Sequence, residues 1–198
     1  MYLMNKIIDL FRLRIKGHLI VDDFFPDEIC GKLRDLALNE NISFDHQWSN
    51  YVAKDFDGGD SYSLKWVAAQ YVFPRVSFVK KESYIRSWSF LYNNKGDGVG
   101  PHIDPGSYYT FNVWITPDDC VEDNNGNGLR IYRKRFDKIK FGGGIDKEIL
   151  KGVKYDIIPY KYNRCVIFRG NTIHETDYVS MKSGFKNKRI NYTFLYDG

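Results

Sequence analysis

The segment GPHIDPG, residues 100–106, places an imidazole and a carboxylate two positions apart at His102 and Asp104. On a strand, residues i and i+2 share a face, so the two groups would converge on one point. Gly100, Pro105 and Gly106 keep bulky side chains away from it. An isolated His-x-Asp arises often by chance; a second segment gives it weight. In RCVIFRGNTIHE, residues 164–175, Val166, Ile167 and Phe168 read as a buried strand, Gly170-Asn171 as a turn, and His174 falls on the next strand. The chain has four histidines, and the other two, His18 and His46, have no such context and read as ordinary surface or core residues. Two imidazoles and one carboxylate form a facial triad, which leaves one side of the ion open and points to non-haem Fe(II) used with oxygen. A closed zinc site would want four ligands, usually including sulfur. Cys30, Cys120 and Cys165 have neither metal-ligand nor CxxC spacing.

A third segment, KRINYTFLYDG (188–198), puts Arg189, Asn191, Thr193 and Leu195 on one strand face and Ile190, Tyr192, Phe194 and Tyr196 on the other. A single arginine inside a barrel needs an anion, and a guanidinium holds a carboxylate through two parallel hydrogen bonds. Lys182 and Lys188 compete for that anion, and a solvated surface arginine is the plain alternative. Upstream, SYIRSWSFLYNN (83–94) places Tyr84, Arg86, Trp88, Phe90 and Tyr92 on one face, where Arg86 needs a partner. In YYTFNVWIT (108–116), Tyr108, Thr110, Asn112 and Trp114 form a face that would suit a pocket or solvent equally. Arg130, Arg133, Lys134, Arg135, Lys138 and Lys140 form a basic cluster. It reads as a solvated face, with a phosphate-tracking patch as the alternative.

The elements that must position these residues are mostly strands. Candidates lie near 84–92, 99–104, 108–116, 128–133, 155–160, 164–168, 172–179 and 188–196, separated by Gly, Asn, Asp and Pro. Many short strands with even turn signals predict an all-β sandwich or barrel carrying N-terminal helices. Residues 3–13 have helical apolar spacing, 18–24 read as a strand, and Pro26 opens a helix expected to run to about Glu40. Residues 45–63 read as a loop, and 134–150 as an excursion from the sheet. The chain has 198 residues, 43% of them hydrophobic and 27% charged. That suits one soluble domain with no membrane span. The N-terminus lacks a secretion signal, and the odd cysteine count implies no disulfide framework, so a reduced cytoplasmic setting is expected. A net charge of +4 permits an anionic ligand without demanding nucleic acid.

On these motifs the chain resembles the 2-oxoglutarate- and Fe(II)-dependent oxygenases, whose core is a double-stranded β-helix, or jelly roll. The family pattern of His-x-Asp, distal His and basic residue on the last strand is matched by His102, Asp104, His174 and Arg189. The distal histidine lies 72 residues beyond the first, and Arg189 a further 15 on. The resemblance covers about residues 84–196, with residues 1–83 as helical support packed on one sheet of a single domain. VDDFFPDEICGKLRDLAL is similar to the opening of prolyl-hydroxylase-like members, and GNGLRIYRKR (126–135) to a strand whose glycines pass close to the site. Residues 189–195 are similar to the RxNxTxR strand of AlkB-type enzymes, except that Leu195 stands where their second arginine would be. The resemblance implies Fe(II) on His102, Asp104 and His174. It implies 2-oxoglutarate anchored by Arg189, Tyr92 and Asn191, with oxygen and an unidentified substrate as the other partners. The implied reaction hydroxylates a C–H bond of a peptide side chain or small metabolite and releases succinate and carbon dioxide. Asp104 stands where halogenating members have a small residue. Nucleobase demethylation, a jelly-roll binding module without chemistry, and zinc or cupin-like chemistry remain open, with nucleic acid a disfavoured partner.

Overall fold

The computed structural model describes residues 13, 15–39, 44–55, 61–76, 79, 83–104, 106–135 and 144–197. Most of the helix expected over 3–13 lies outside these residues, as do Pro105, Lys138, Lys140, Gly142 and Gly143. Strand β1 (His18–Val21) leads to helix α1 (Asp27–Ala37). Pro26 occupies the N-cap with φ −58°, and Asp27 and Glu28 sit in the first turn, where the helix dipole favours negative charge. Ile29, Cys30, Leu33 and Ala37 form the buried stripe. The helix stops at Ala37, short of the expected Glu40.

The loop expected over 45–63 is corrected by a hairpin, β2 (His46–Gln47) and β3 (Tyr51–Asp55). Its pattern is too short to read locally. It is a strand because β3 pairs with β4 (Tyr84–Tyr92), Tyr51 opposite Tyr92 and Ala53 opposite Phe90. Helix α2 (Ser61–Val67) follows, continued by a π-helical stretch at Ala68–Val72 and a last turn at Phe73–Arg75. Among its described side chains, Leu64, Val67, Ala68 and Val72 are buried. Their helical spacing was present in the sequence.

The remaining strands are β5 (Lys95–Gly96), β6 (Tyr109–Trp114), β7 (Leu129–Arg135), β8 (Tyr155–Ile158), β9 (Cys165–Arg169), β10 (Thr172–Thr176), β11 (Val179–Ser180) and β12 (Ile190–Tyr196). They form a mainly β, antiparallel jelly roll. The large sheet runs β1-β9-β6-β12-β4-β3-β2, the smaller one β10-β7-β8, and β11 pairs with β5. The alternation on β12 holds: Ile190, Tyr192, Phe194 and Tyr196 pack with Phe25, Ile29, Leu33 and Leu64 in the main core. The Tyr192 hydroxyl donates to the Leu33 carbonyl at 2.7 Å and that of Tyr196 to the Ala68 carbonyl at 3.2 Å, tying this strand to both helices. On the other face, Trp114, Val166 and Phe168 of the large sheet meet Leu129, Ile131 and Ile158 of the small one. The strand expected over 99–104 is absent. Gly100 and Pro101 interrupt it, since proline has no N–H for a ladder, and only an isolated bridge at His102 remains. Among the described residues, no helix is long and apolar enough to cross a membrane.

Asn163, at φ 57°, joins the first helical segment to the sheet. Its side chain accepts from Phe25 N at 2.9 Å and donates to Phe25 O at 2.7 Å, and its carbonyl accepts from Phe24 N at 3.0 Å. Asn163→Ala removes two buried hydrogen bonds and leaves both Phe25 groups unpaired. The expected loss is about 3 kcal/mol, a fall in Tm of roughly 10 °C, read by thermal denaturation.

Candidate metal centre

His102 and His174 exchange two backbone hydrogen bonds, N to O at 3.0 Å in each direction, so two remote segments meet residue against residue. Asp104 is placed by its own N–H, which donates to Gly170 O at 2.9 Å. The chains approach so closely that a Cβ on Gly170 would lie 2.3 Å from Ser107 O and 2.8 Å from Asp104 O; only glycine fits. The i, i+2 geometry of a strand is thus replaced by a loop clamped at His102 and Asp104, with the same convergence. Ligand atoms of His102, Asp104 and His174 lie within 4.8 Å of one another. The Nε2 atoms of His102 and His174 are 3.9 and 3.6 Å from the Asp104 carboxylate, too long for hydrogen bonds and open enough for an ion.

Both rings are held by the other nitrogen. His102 Nδ1 lies 2.7 Å from Gly100 O and His174 Nδ1 3.0 Å from Thr172 O. Those carbonyls require N–H at Nδ1 and leave the Nε2 lone pairs for a metal. Burial pushes the His174 imidazole down to about 4; the nearby His102 adds to the fall and Asp104 opposes it. The ring is therefore neutral, as a ligand must be. Asp104 Oδ2 accepts from the Thr110 hydroxyl at 2.8 Å. The donor set fits a divalent metal with an open flank.

Beside this group lies a narrow cavity reached by Phe90, Tyr92, Asn112, Asn191 and Thr193. Arg189, 1% exposed, lies behind the lining residue Asn191. Its Nε donates to Asn127 O at 2.8 Å and its Nη1 to Asn191 Oδ1 at 3.0 Å. The guanidinium carbon lies 4.6 Å from the Tyr92 ring, 5.6 Å from Trp114 and 5.8 Å from Tyr160. No carboxylate among the described residues pairs with it. The Tyr92 hydroxyl meets Thr176 Oγ1 at 3.1 Å. Asn112 Oδ1 and Trp114 Nε1 are buried without partners. The buried Arg189 guanidinium, with no carboxylate partner among the described residues, fits a small anion.

The rivals of Arg189 lie elsewhere: Lys182 is exposed, and Lys188 reaches Asn93 at 3.5 Å. Leu195 is buried. Arg86 stacks over Trp88 at 5.0 Å. His18 is buried and His46 exposed. In the basic cluster, Arg130 binds Asp177 at 2.7 Å and Arg133 binds Asp156 at 2.6 Å. The glycines at 126 and 128 do admit a close approach, but to Tyr178 O and Ile158 O rather than to the metal group, a correction to the expected role. Sequence reasoning missed Thr176, two residues beyond His174 on the same strand, which the period-2 rule could have found. It also missed Asn127, for which no local signal exists.

Thr110→Val is expected to lower metal affinity by roughly 10–100-fold, measured by metal titration. In the unfolded chain His174 titrates near 6.5. Between about 6.5 and 4 that chain binds the extra proton, so the metal-free protein loses stability as pH falls through this window. His18 acts with the same sign. Denaturant unfolding of His174→Gln against pH should show a shallower fall than the parent.

Neither a family model nor a curated protein matches the chain. Solved structures do. A prolyl-4-hydroxylase from Pseudomonas putida aligns with TM-score 0.63 and 10% identity over 96% of this chain and 97% of its own. An oxidoreductase of the 2OG-Fe(II) oxygenase family from Burkholderia pseudomallei gives 0.62 and 9% over 97% and 89%. The epimerase SnoN, in complex with Fe3+, alpha ketoglutarate and nogalamycin RO, gives 0.67 and 14% over 98% and 84%. At such identities the likeness is one of fold, and the fold of this chain is that of the 2-oxoglutarate/Fe(II) oxygenases.

Proposed function

We propose that the protein is an Fe(II)- and 2-oxoglutarate-dependent dioxygenase of the hydroxylase type. His102, Asp104 and His174 hold the metal, and Arg189, Tyr92 and Asn191 hold the co-substrate. The observation that carries this reading is Arg189: a guanidinium buried against Tyr92 and Asn191, which line the cavity at the His-Asp-His group, with no carboxylate of its own among the described residues. A buried charge left unpaired is costly, and the distal carboxylate of 2-oxoglutarate is its natural partner.

When bound, the metal and 2-oxoglutarate supply oxygen activation, yielding succinate, carbon dioxide and a hydroxylated C–H bond of a peptide side chain or small metabolite. The chain's own residues prepare for this. Gly100 O and Thr172 O orient the two imidazoles, and Thr110 fixes one Asp104 oxygen. Asn127 O and Asn191 aim the guanidinium, and the rings of Tyr92, Trp114 and Tyr160 keep water from it. The Tyr92 hydroxyl is a second donor within that enclosure. Nucleobase demethylation is less favoured, because Arg130 and Arg133 are already paired with Asp177 and Asp156.

Anaerobic addition of Fe(II) and 2-oxoglutarate should produce the visible charge-transfer band of the chelate. Arg189→Ala should raise the 2-oxoglutarate concentration needed for that band roughly 100-fold, about 3 kcal/mol of charge-assisted hydrogen bonding, and Lys188→Ala should not. A protein that shows no band and releases no succinate with any candidate substrate is a binding module. Zinc or cupin-like chemistry would leave the activity of Arg189→Ala unchanged.

A further inference from the structure

A cleft of about 470 Å³ opens beside His102, with Val99–Ile103 as its floor. One wall belongs to the β2–β3 hairpin, Trp48 and Tyr51; another comes from Ile145 and Lys147. The Trp48 ring is 46% exposed yet braced, 4.7 Å from Tyr51 and 5.7 Å from His46. Tyr51 in turn rests on Tyr92 at 5.5 Å. A large ring held at the surface by other rings is a stacking platform. Ile145 is fixed on the floor by its N–H, which donates to Pro101 O at 2.7 Å, and by packing with Tyr132, Leu150 and Ile173.

Among the described residues that line this cleft, the charge has one sign. Among the described residues no acidic side chain lines it. Lys147 is 77% exposed, and its ion-pair contact, Glu175, is 3.9 Å away. The Tyr132 hydroxyl at 2.6 Å and Arg130 at 3.5 Å both meet Glu175 Oε1, while the long contact of the solvent-facing Lys147 runs to Oε2. The Lys147 ammonium is thus available to a ligand. The volume suits a small molecule.

We propose that the substrate is a small carboxylic acid bearing a flat apolar ring, stacked on Trp48 with its carboxylate at Lys147 and the carbon to be oxidised beside His102. This rests on the oxygenase reading above and narrows its substrate class. The test is calorimetric titration of protein loaded with Mn(II) and 2-oxoglutarate, using phenylacetate and indole-3-acetate and, as neutral counterparts, their amides. At least one acid should bind, with its amide about fivefold weaker. Trp48→Ala should weaken that acid about tenfold. Lys147→Gln should bring the acid to the affinity of its amide without changing the amide. Neither variant should alter 2-oxoglutarate binding, which also reports that both are folded. The proposal is overturned if neither acid binds protein that takes up 2-oxoglutarate, if both variants bind the acid like the parent, or if a proline-containing peptide or an oligonucleotide binds in its place. Failure of the parent protein to take up 2-oxoglutarate with metal sinks the oxygenase reading instead.

Discussion

The two backbone hydrogen bonds between His102 and His174 set the position of everything else in the site. Because they run between main-chain atoms, they fix how the two backbones face each other, and the Gly100 and Thr172 carbonyls then aim the imidazoles. Residues 99–104 form no strand, so this single bridge and the Asp104 N to Gly170 O bond take the place of a continuous ladder. Gly170 lets the two segments close: any side chain there would meet the Ser107 and Asp104 carbonyls. Three potential ligands are then aligned by backbone contacts that exist before any ion arrives.

The large sheet makes those contacts durable by dividing its faces. One face, through Phe111, Val113, Tyr192, Phe194 and Tyr196, packs against the helices and supplies the apolar burial. The other carries Thr110, Asn112, Asn191 and Thr193 into the space between the sheets, where each hydroxyl or amide has a neighbour to position. Adjacent strands in register place Asn191 beside Trp114 and Thr193 beside Asn112. A polar interior of this kind is stable only because the opposite face is so fully apolar, and the two properties belong to the same strands.

Arg189 is the costly element. Removing a guanidinium from water is unfavourable. Here it is offset by the Asn127 carbonyl, the Asn191 side chain and three aromatic faces. Asn127 itself sits at φ 66°, a left-handed conformation that asparagine tolerates better than most residues. Its side chain is fixed by Asp123 O, Ser180 O and Ser180 N. The loop before β7 thereby becomes rigid enough to aim a carbonyl at the arginine. With no carboxylate beside it among the described residues, the cation is held in place by these neutral groups.

Residue chemistry and period-2 alternation were legible in the sequence. The two faces of β4, β6 and β12 and the burial of Ile29 and Leu33 follow from local pattern, because side-chain direction on a strand or helix is fixed by neighbours in the chain; the His-Asp-His set was legible from residue types and spacing, although residues 99–104 form no strand. The β2–β3 hairpin was not legible, since such short segments become strands only when β4 offers its hydrogen bonds to β3, and β3 to β2. Nor was the bridging of 102 to 174, the role of Asn127, or the pairing of Arg130 and Arg133 with acids remote in sequence. The sequence by itself determined which groups could act and which faces they share. Only the tertiary structure decided where they meet, because that depends on hydrogen bonds and close approaches between segments whose separation no local periodicity encodes.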